Sequence, residues 1–269
     1  MFPSVQATND QPPSGKAEQL AAAYQLGTPQ QEYRVRYTRM ILVCGIISLL
    51  LWFGFAFLAY NMYTSPRNIN DSNNVPIVIG VGVMFLLIGL YCLLYPVLYR
   101  SWHVYVYSEG FAFTKGSKVD AFRWDQIDCM WQAITRRYMN GIYMGTLYKY
   151  TVRGMNGRQV VLNNRIADVG SLGAIISDMV TRVKLPQVLA AFRAGQTITF
   201  GRLSVSLQGV SNGKELVPWS QIKEIGVSRG YVTVRKEGKW LSWSSVQVAK
   251  IPNFFIFFAL VNTIMKTTR

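Results

Sequence analysis

The sequence is short of the side chains on which most catalysis and most secreted scaffolds depend. It has one histidine, His103, and three cysteines, Cys44, Cys92 and Cys129, among 269 residues. Three cysteines make no paired framework, which argues against a disulfide-stapled secreted domain. A single imidazole removes chemistry that needs several. Charge is scarce too, at 15% of residues, yet 28 basic against 13 acidic side chains leave a net charge of +15. A histone-like chain or a basic disordered tail of this basicity would carry far more charge. No Gly-x-Gly-x-x-Gly, Gly-x-Ser-x-Gly or His-Glu-x-x-His pattern occurs, and Lys115-Gly116-Ser117-Lys118 lacks the upstream glycine and spacing of a phosphate-cradling loop. No catalytic, cofactor-binding or metal-binding residue is nominated. The expectation is a protein that is not an enzyme.

What is present in excess is apolar length. Met40 to Tyr63 and Val75 to Tyr99 run without a charge, and each reaches the roughly 20 apolar residues a helix needs to cross a hydrocarbon core. Gly45, Gly54, Gly80, Gly82 and Gly89 would be costly in a water-exposed helix but are common in membrane spans. Tyr60, Tyr63, Tyr95 and Tyr99 gather at the ends, where amphipathic rings favour the interface. The first block starts too far into the chain, and is too long, for a cleaved signal peptide. Arg34, Arg36 and Arg39 precede the first span and Arg100 follows the second. The positive-inside rule therefore expects a multi-pass cell (inner) membrane protein with both termini cytoplasmic and the short loop outside. In that loop Asn70-Asp71-Ser72 is a glycosylation triplet that carries no weight so close to a membrane. Gly82 and Gly89, with Gly80, fit close helix packing or a homo-oligomer, and equally glycine that is merely tolerated.

Residues 1 to 33 are rich in Gln, Pro, Ala, Ser and Thr and are expected to be disordered, a short helix over Ala17 to Leu26 being the alternative. From Trp102 the pattern alternates. Val104–Tyr107, Phe111–Thr114, Val119–Phe122, Tyr148–Val152 and Gln159–Leu162 read as strands between turn signals. A helical stretch, Asp168 to Val183, follows with Val169, Leu172, Ile176 and Val183 on one face. The succession then recurs. Val104 to Gly110 matches Leu203 to Gly209, Trp124-Asp125-Gln126-Ile127 matches Trp219-Ser220-Gln221-Ile222, and Tyr150 to Arg153 matches Val232 to Arg235. Ala167-Asp168-Val169 is matched to Ala249-Lys250-Ile251 ahead of a final helix from Pro252 to Met265. The first copy carries an insertion near Arg136 to Gly145. Two tandem copies of one β-rich unit closed by a helix follow from this order. Phe254 to Val261 is intensely apolar but short for a span, so it is read as a helix packed on its sheet.

The expected fold class is an α+β membrane protein: two transmembrane helices, then two tandem β-rich units, each closed by a C-terminal helix. The expected divisions are a disordered cytoplasmic tail (1–38), transmembrane helices (39–63 and 75–100) around an external loop (64–74), a first unit (101–185), a linker helix (186–195) and a second unit (196–269). The short strands, the Trp-x-x-Ile motif and the closing helix resemble the pleckstrin-homology (PH-like) barrel. The arrangement, through WDQI, TRRYMNGIYMGTLYKYTVR, GYVTVRKEGKWLSWSS and KIPN, is similar to an uncharacterised bacterial two-span membrane family with PH-like repeats. That resemblance carries no activity with it. The expected function is a non-catalytic tandem PH-like binding or scaffolding module at the cytoplasmic face; the alternatives are an anionic-lipid-sensing module and, behind it, a lipid-processing membrane enzyme.

Beyond Arg100, 22 Lys and Arg face 9 Asp and Glu. The candidate contact residues are Lys115, Lys118 and Arg123 around the first hairpin, Arg136, Arg137 and Tyr138 in the insertion, and Arg229, Arg235, Lys236 and Lys239 in the second copy. Two readings stay open. Held near an anionic leaflet, basic residues gain on the order of 1 kcal/mol each; alternatively they are solvated strand positions that maintain solubility. Asp125 and Asp128 read as a solvated strand edge, Cys129 as a buried strand cysteine and His103 as an interfacial residue. The expected partners are the membrane itself, with anionic lipid headgroups or a protein; nucleic acid is not expected.

Overall fold

The computed structural model describes residues 15–35, 39–65, 69–99 and 101–268. The chain divides into two compact units, Val35–Trp102 and a larger one made of the segments on either side. The larger unit starts earlier than expected. Helix α1 (Gly15–Tyr24) and strand β1 (Pro29–Arg34) precede the apolar helices α2 (Arg39–Thr64) and α3 (Ile69–Tyr99), and the strands resume with β2 (Trp102–Tyr107). β1 pairs antiparallel with β2, from Arg34 opposite His103 to Pro29 opposite Tyr107. The segment 15–35, expected to be disordered, is thus a helix and an edge strand; residues 1–14 lie outside the described residues. The reason is packing. Ala17, Leu20 and Leu26 are buried against Tyr105, Tyr107 and Ala112, and the Tyr107 hydroxyl donates to the Ala17 carbonyl at 2.9 Å.

After β2 come β3 (Gly110–Lys115), β4 (Lys118–Arg123), a 3₁₀ turn at Trp124–Gln126, β5 (Ile127–Met139), β6 (Ile142–Gly154), β7 (Gln159–Asn163) and helix α4 (Val169–Arg193). The order is β1-β2-β3-β4 in one sheet and β5-β6-β7 in another. The second half repeats it. β8 (Ile198–Phe200), β9 (Leu203–Val205), β10 (Gly209–Ser211) and β11 (Leu216–Pro218) form four strands, and a 3₁₀ turn at Trp219–Gln221 follows. Then β12 (Ile222–Ser228), β13 (Tyr231–Lys236) and β14 (Ser242–Gln247) form three, and α5 (Phe254–Thr268) closes the half.

The equivalence reaches single bonds. The Trp124 indole donates to the Ser108 carbonyl and the Trp219 indole to the Ser206 carbonyl, both at 2.9 Å. The Met155 amide donates to Gln126 and the Glu237 amide to Gln221, both at 2.8 Å. β5 has a bulge between Ile127 and Cys129, and β12 has the same bulge between Ile222 and Glu224. A left-handed residue precedes each closing helix: Asp168 at φ +48° and Asn253 at φ +51°. Asp168 therefore corresponds to Asn253, three residues away from the match drawn through Ala167 and Ala249. Low side-chain similarity hides a register that the backbone fixes.

Two further boundaries differ from expectation. α4 runs unbroken through Pro186 to Arg193, so no separate linker helix exists at 186–195. α3 begins at Ile69, so most of the expected loop 64–74 is helix; hydropathy marks a hydrocarbon boundary, not the end of a hydrogen-bond ladder. The final helix packs as expected. Ile256, Phe257, Leu260 and Val261 are buried, with Phe257 edge-on to Phe200 at 5.3 Å.

In the smaller unit, the most apolar 18-residue stretches of Met40–Thr64 and Asn74–Tyr99 have mean hydropathies of 2.6 and 2.8, and only 11% of each stretch is buried. A core helix of a water-soluble protein would be mostly covered. Both are long and apolar enough to cross a membrane. They pack on each other through glycine: a Cβ at Gly45 would press on Cys92 and Leu93, and one at Gly89 on Leu49. Phe55 and Phe85 stack at 5.6 Å. Gly80 faces open space and takes no part.

Candidate functional site

Up-and-down strands put alternate turns at the same end of the larger unit. The chain leaves at Arg34 and returns at His103; the β3–β4 turn, the β5–β6 turn and the β7–α4 connection share that end. Two bonds confirm it, from the Thr114 hydroxyl to the His103 carbonyl at 3.4 Å and from the Ala167 amide to the Arg34 carbonyl at 2.8 Å. Leu26, Glu109 and Trp124 mark the opposite end, joined by Glu109 to Leu26 at 2.9 Å and Trp124 to Glu109 at 3.0 Å.

The β5–β6 turn is the largest departure between the halves. In the second half Ser228 pairs with Tyr231 across Arg229-Gly230; in the first, Ala133 pairs with Lys149 across the fifteen residues 134–148. These residues form no loop. They prolong β5 and β6 into a two-stranded arm that continues past Lys149, where β7 ends opposite at Asn163. Asn140 and Gly141 close it with φ +50° and +80°, the left-handed pair that matches the twist of a tight hairpin. Asn164 fastens its base, accepting from the Tyr148 amide at 2.6 Å and donating to the Thr146 carbonyl at 2.9 Å.

The ten expected contact residues part company here. Lys115 and Lys118 face each other across the β3–β4 turn, and Arg136, Arg137 and Tyr138 lie exposed on the arm, all at the Arg34–His103 end. Arg123 lies at the other end, bonded to the Gln25 carbonyl at 2.8 Å and Asp125 at 3.2 Å. Arg235 pairs with Glu224 at 3.4 Å, and Lys236 pairs with Glu215 at 2.6 Å beneath the Trp243 ring. Lys239 sits in the β13–β14 turn. Neighbouring Trp240 and Leu241 are strongly exposed and were not singled out by the sequence, which shows no periodicity there.

The groups that could do chemistry are engaged. Burial, with the Asp128 carboxylate beside it, pushes the Cys129 thiol up to about 11. Partial burial alone would raise Asp128, but bonds from Arg153 and Cys129 hold its carboxyl below the usual range; Arg153 reaches it at 2.6 Å. Asp125 pairs instead with Arg123, so the two carboxylates serve different partners. Burial likewise works against bonds from Arg34 and His103 at Glu32, and the bonds prevail, lowering its pKa. His103 Nδ1 lies 2.8 Å from Glu32, a partner supplied by β1. Among the described residues no group of three or more His, Cys, Asp or Glu side chains converges to hold a metal ion. A cavity of about 10 Å³ between Met130, Ser177 and Asn253 holds one water at most. An open groove of about 390 Å³ lies over Trp131, Lys149 and Thr151.

The fold defines a class: an α+β protein in which a seven-strand unit with a closing helix occurs twice, and two long apolar helices stand in the first β-hairpin connection. Residues 5–269 match a family of unknown function, DUF6585, and the chain belongs to that family. Neither a curated protein nor a solved structure matches it.

Proposed function

We propose that this chain is a non-catalytic, multi-pass membrane protein that presents a tandem PH-like module at the cytoplasmic face as a binding or scaffolding platform. The observation that carries the reading is where the helices stand. The second half closes β8 to β9 with Gly201-Arg202, whereas the first half places α2 and α3 between β1 and β2. A module joined to its membrane anchor through both strands of one hairpin is held at two points. Such a tether limits tumbling and suits a platform better than a free-diffusing enzyme. The seven strands and closing helix of each half support the PH-like assignment, and the buried Cys129 thiol, pushed up to about 11, makes a poor nucleophile.

Topology is tested in intact cells and inverted vesicles with Ser65→Cys or Ser117→Cys in a Cys44→Ser, Cys92→Ser background, in which the remaining Cys129 is buried with its thiol pushed up to about 11 and so reacts slowly. A membrane-impermeant maleimide should label position 65 from outside and position 117 only in inverted vesicles. Labelling of 117 in intact cells would overturn the cytoplasmic placement.

A further inference from the structure

The arm asks what its exposed side chains are for. The fold does not require it, because the second half closes the same hairpin with two residues. Its outer part is nevertheless apolar: Tyr138, Met139, Ile142, Tyr143 and Met144 are all exposed, Ile142 at 67%. Cross-strand pairing puts Tyr138 with Tyr143 on one face and Met139 with Ile142 on the other. A groove on a protein partner would reward one apolar face. A tip apolar on both faces suits immersion in an apolar medium.

Arg136 and Arg137 stand directly behind the tip, exposed, and neither has a carboxylate partner among the described residues. Residues 134–148 contain no Asp or Glu. The arm rises from the end at which the chain leaves for its apolar helices, with Lys115 and Lys118 at the same end. Two cations behind a ring of Tyr, Met and Ile match an anionic headgroup layer over acyl chains. Depth is limited as well. Beyond the Asn164 bonds to Tyr148 and Thr146 no further strand among the described residues pairs with either edge of the ribbon, and unpaired N–H and C=O groups cannot enter hydrocarbon without water.

We propose that the β5–β6 arm is an interfacial membrane anchor: residues 138–144 enter the headgroup–acyl boundary of an anionic leaflet, and Arg136 and Arg137 bind its phosphates. The proposal rests on the membrane-tethered reading above and adds the surface that the module uses.

The test uses the full chain reconstituted in vesicles of phosphatidylcholine alone or with about 30% phosphatidylglycerol. Ile142→Cys in the Cys44→Ser, Cys92→Ser background carries an environment-sensitive fluorophore. In anionic vesicles the emission should shift blue and be quenched by shallow spin-labelled lipid. Arg136→Gln with Arg137→Gln should lower the inserted-to-free ratio about 30-fold, the product of two contributions of about 1 kcal/mol. Replacing 137–145 by Asn-Gly, which keeps the Asn164 bonds to Thr146 and Tyr148 at the base, should leave the melting temperature unchanged and abolish lipid-dependent burial of a fluorophore at Ser117. Water-like emission in both vesicles, from protein that resists carbonate extraction, would overturn the arm while leaving the tether intact. Shielding that arises only when other membrane proteins are added would also overturn it, in favour of a protein partner. Failure to resist carbonate extraction would instead sink the tether.

Discussion

At the scale of single residues, two glycines show how strictly the repeated unit is specified. A Cβ at Gly110 would strike the Phe122 carbonyl, and one at Gly209 would strike the Val217 carbonyl. Neither glycine has a positive φ, so space and not backbone conformation selects it. Each lies beside the strand that leads into the Trp turn, whose indole and amide both bond to the adjoining hairpin. The obstruction is backbone on the neighbouring strand, which cannot rotate away like a side chain. Gly110→Ala and Gly209→Ala should each destabilise the larger unit by about 1–3 kcal/mol, the usual range for an added methyl without room. Denaturant unfolding of the full chain in detergent measures the effect. A neutral result at one site and a loss at the other would mean that the two halves are less alike than their bonds suggest.

At the scale of elements, the halves are stitched together at Asn253. Its amide donates to the Met130 carbonyl at 2.8 Å, its side-chain oxygen accepts from the Met130 amide at 3.0 Å, and its side-chain nitrogen donates to the Asp128 carbonyl at 3.2 Å. The residue ahead of the second closing helix thus satisfies the open edge of β5 in the first half. Lys184 on α4 donates to the same Asp128 carbonyl at 2.8 Å. Asn253→Gly keeps the left-handed backbone and loses the side-chain bonds, at about 1 kcal/mol each; Asn253→Ala loses both bonds and conformation and should cost about 1 kcal/mol more. Amide exchange at Met130 should quicken in both variants; unchanged protection would refute the stitch. Little of this was legible beforehand. Long uncharged runs and alternating strands announce themselves because each pattern is local. β1, with the sequence Pro29-Gln30-Gln31-Glu32-Tyr33-Arg34, shows no apolar alternation, since an edge strand is held by backbone bonds to a partner some seventy residues away. The insertion is visible in the sequence as extra chain, but only the pairing of residues 134–139 with 142–148 across Asn140-Gly141 makes it a ribbon. The basic candidates could not be sorted from spacing alone, because Glu224 and Glu215 reach Arg235 and Lys236 only across strands.

At the scale of the molecule, the apolar helices occupy a connection that the repeat shows to be dispensable for closing the sheet. Arg34 pairs with His103 as Phe200 pairs with Leu203, and the latter pair is joined by Gly201-Arg202 alone. Replacing residues 35–102 by Gly-Arg should therefore give a module that folds in water without detergent. A fragment beginning at Ser101 should not, although it contains nearly every strand. It lacks β1, which leaves one edge of β2 unpaired, and it lacks Leu20 and Leu26, whose burial is worth about 1.5–3 kcal/mol each. It also leaves the buried Tyr107 hydroxyl without the Ala17 carbonyl, a further loss of about 1–3 kcal/mol. Together these approach the whole stability of an ordinary domain, about 5–15 kcal/mol. Size-exclusion chromatography and amide exchange distinguish the two proteins: the turn-closed module should elute as a compact species with β2 protected, and the fragment should aggregate or exchange throughout β2. Equal behaviour would mean that the N-terminal helix and strand are an accessory to the first unit and not one of its parts.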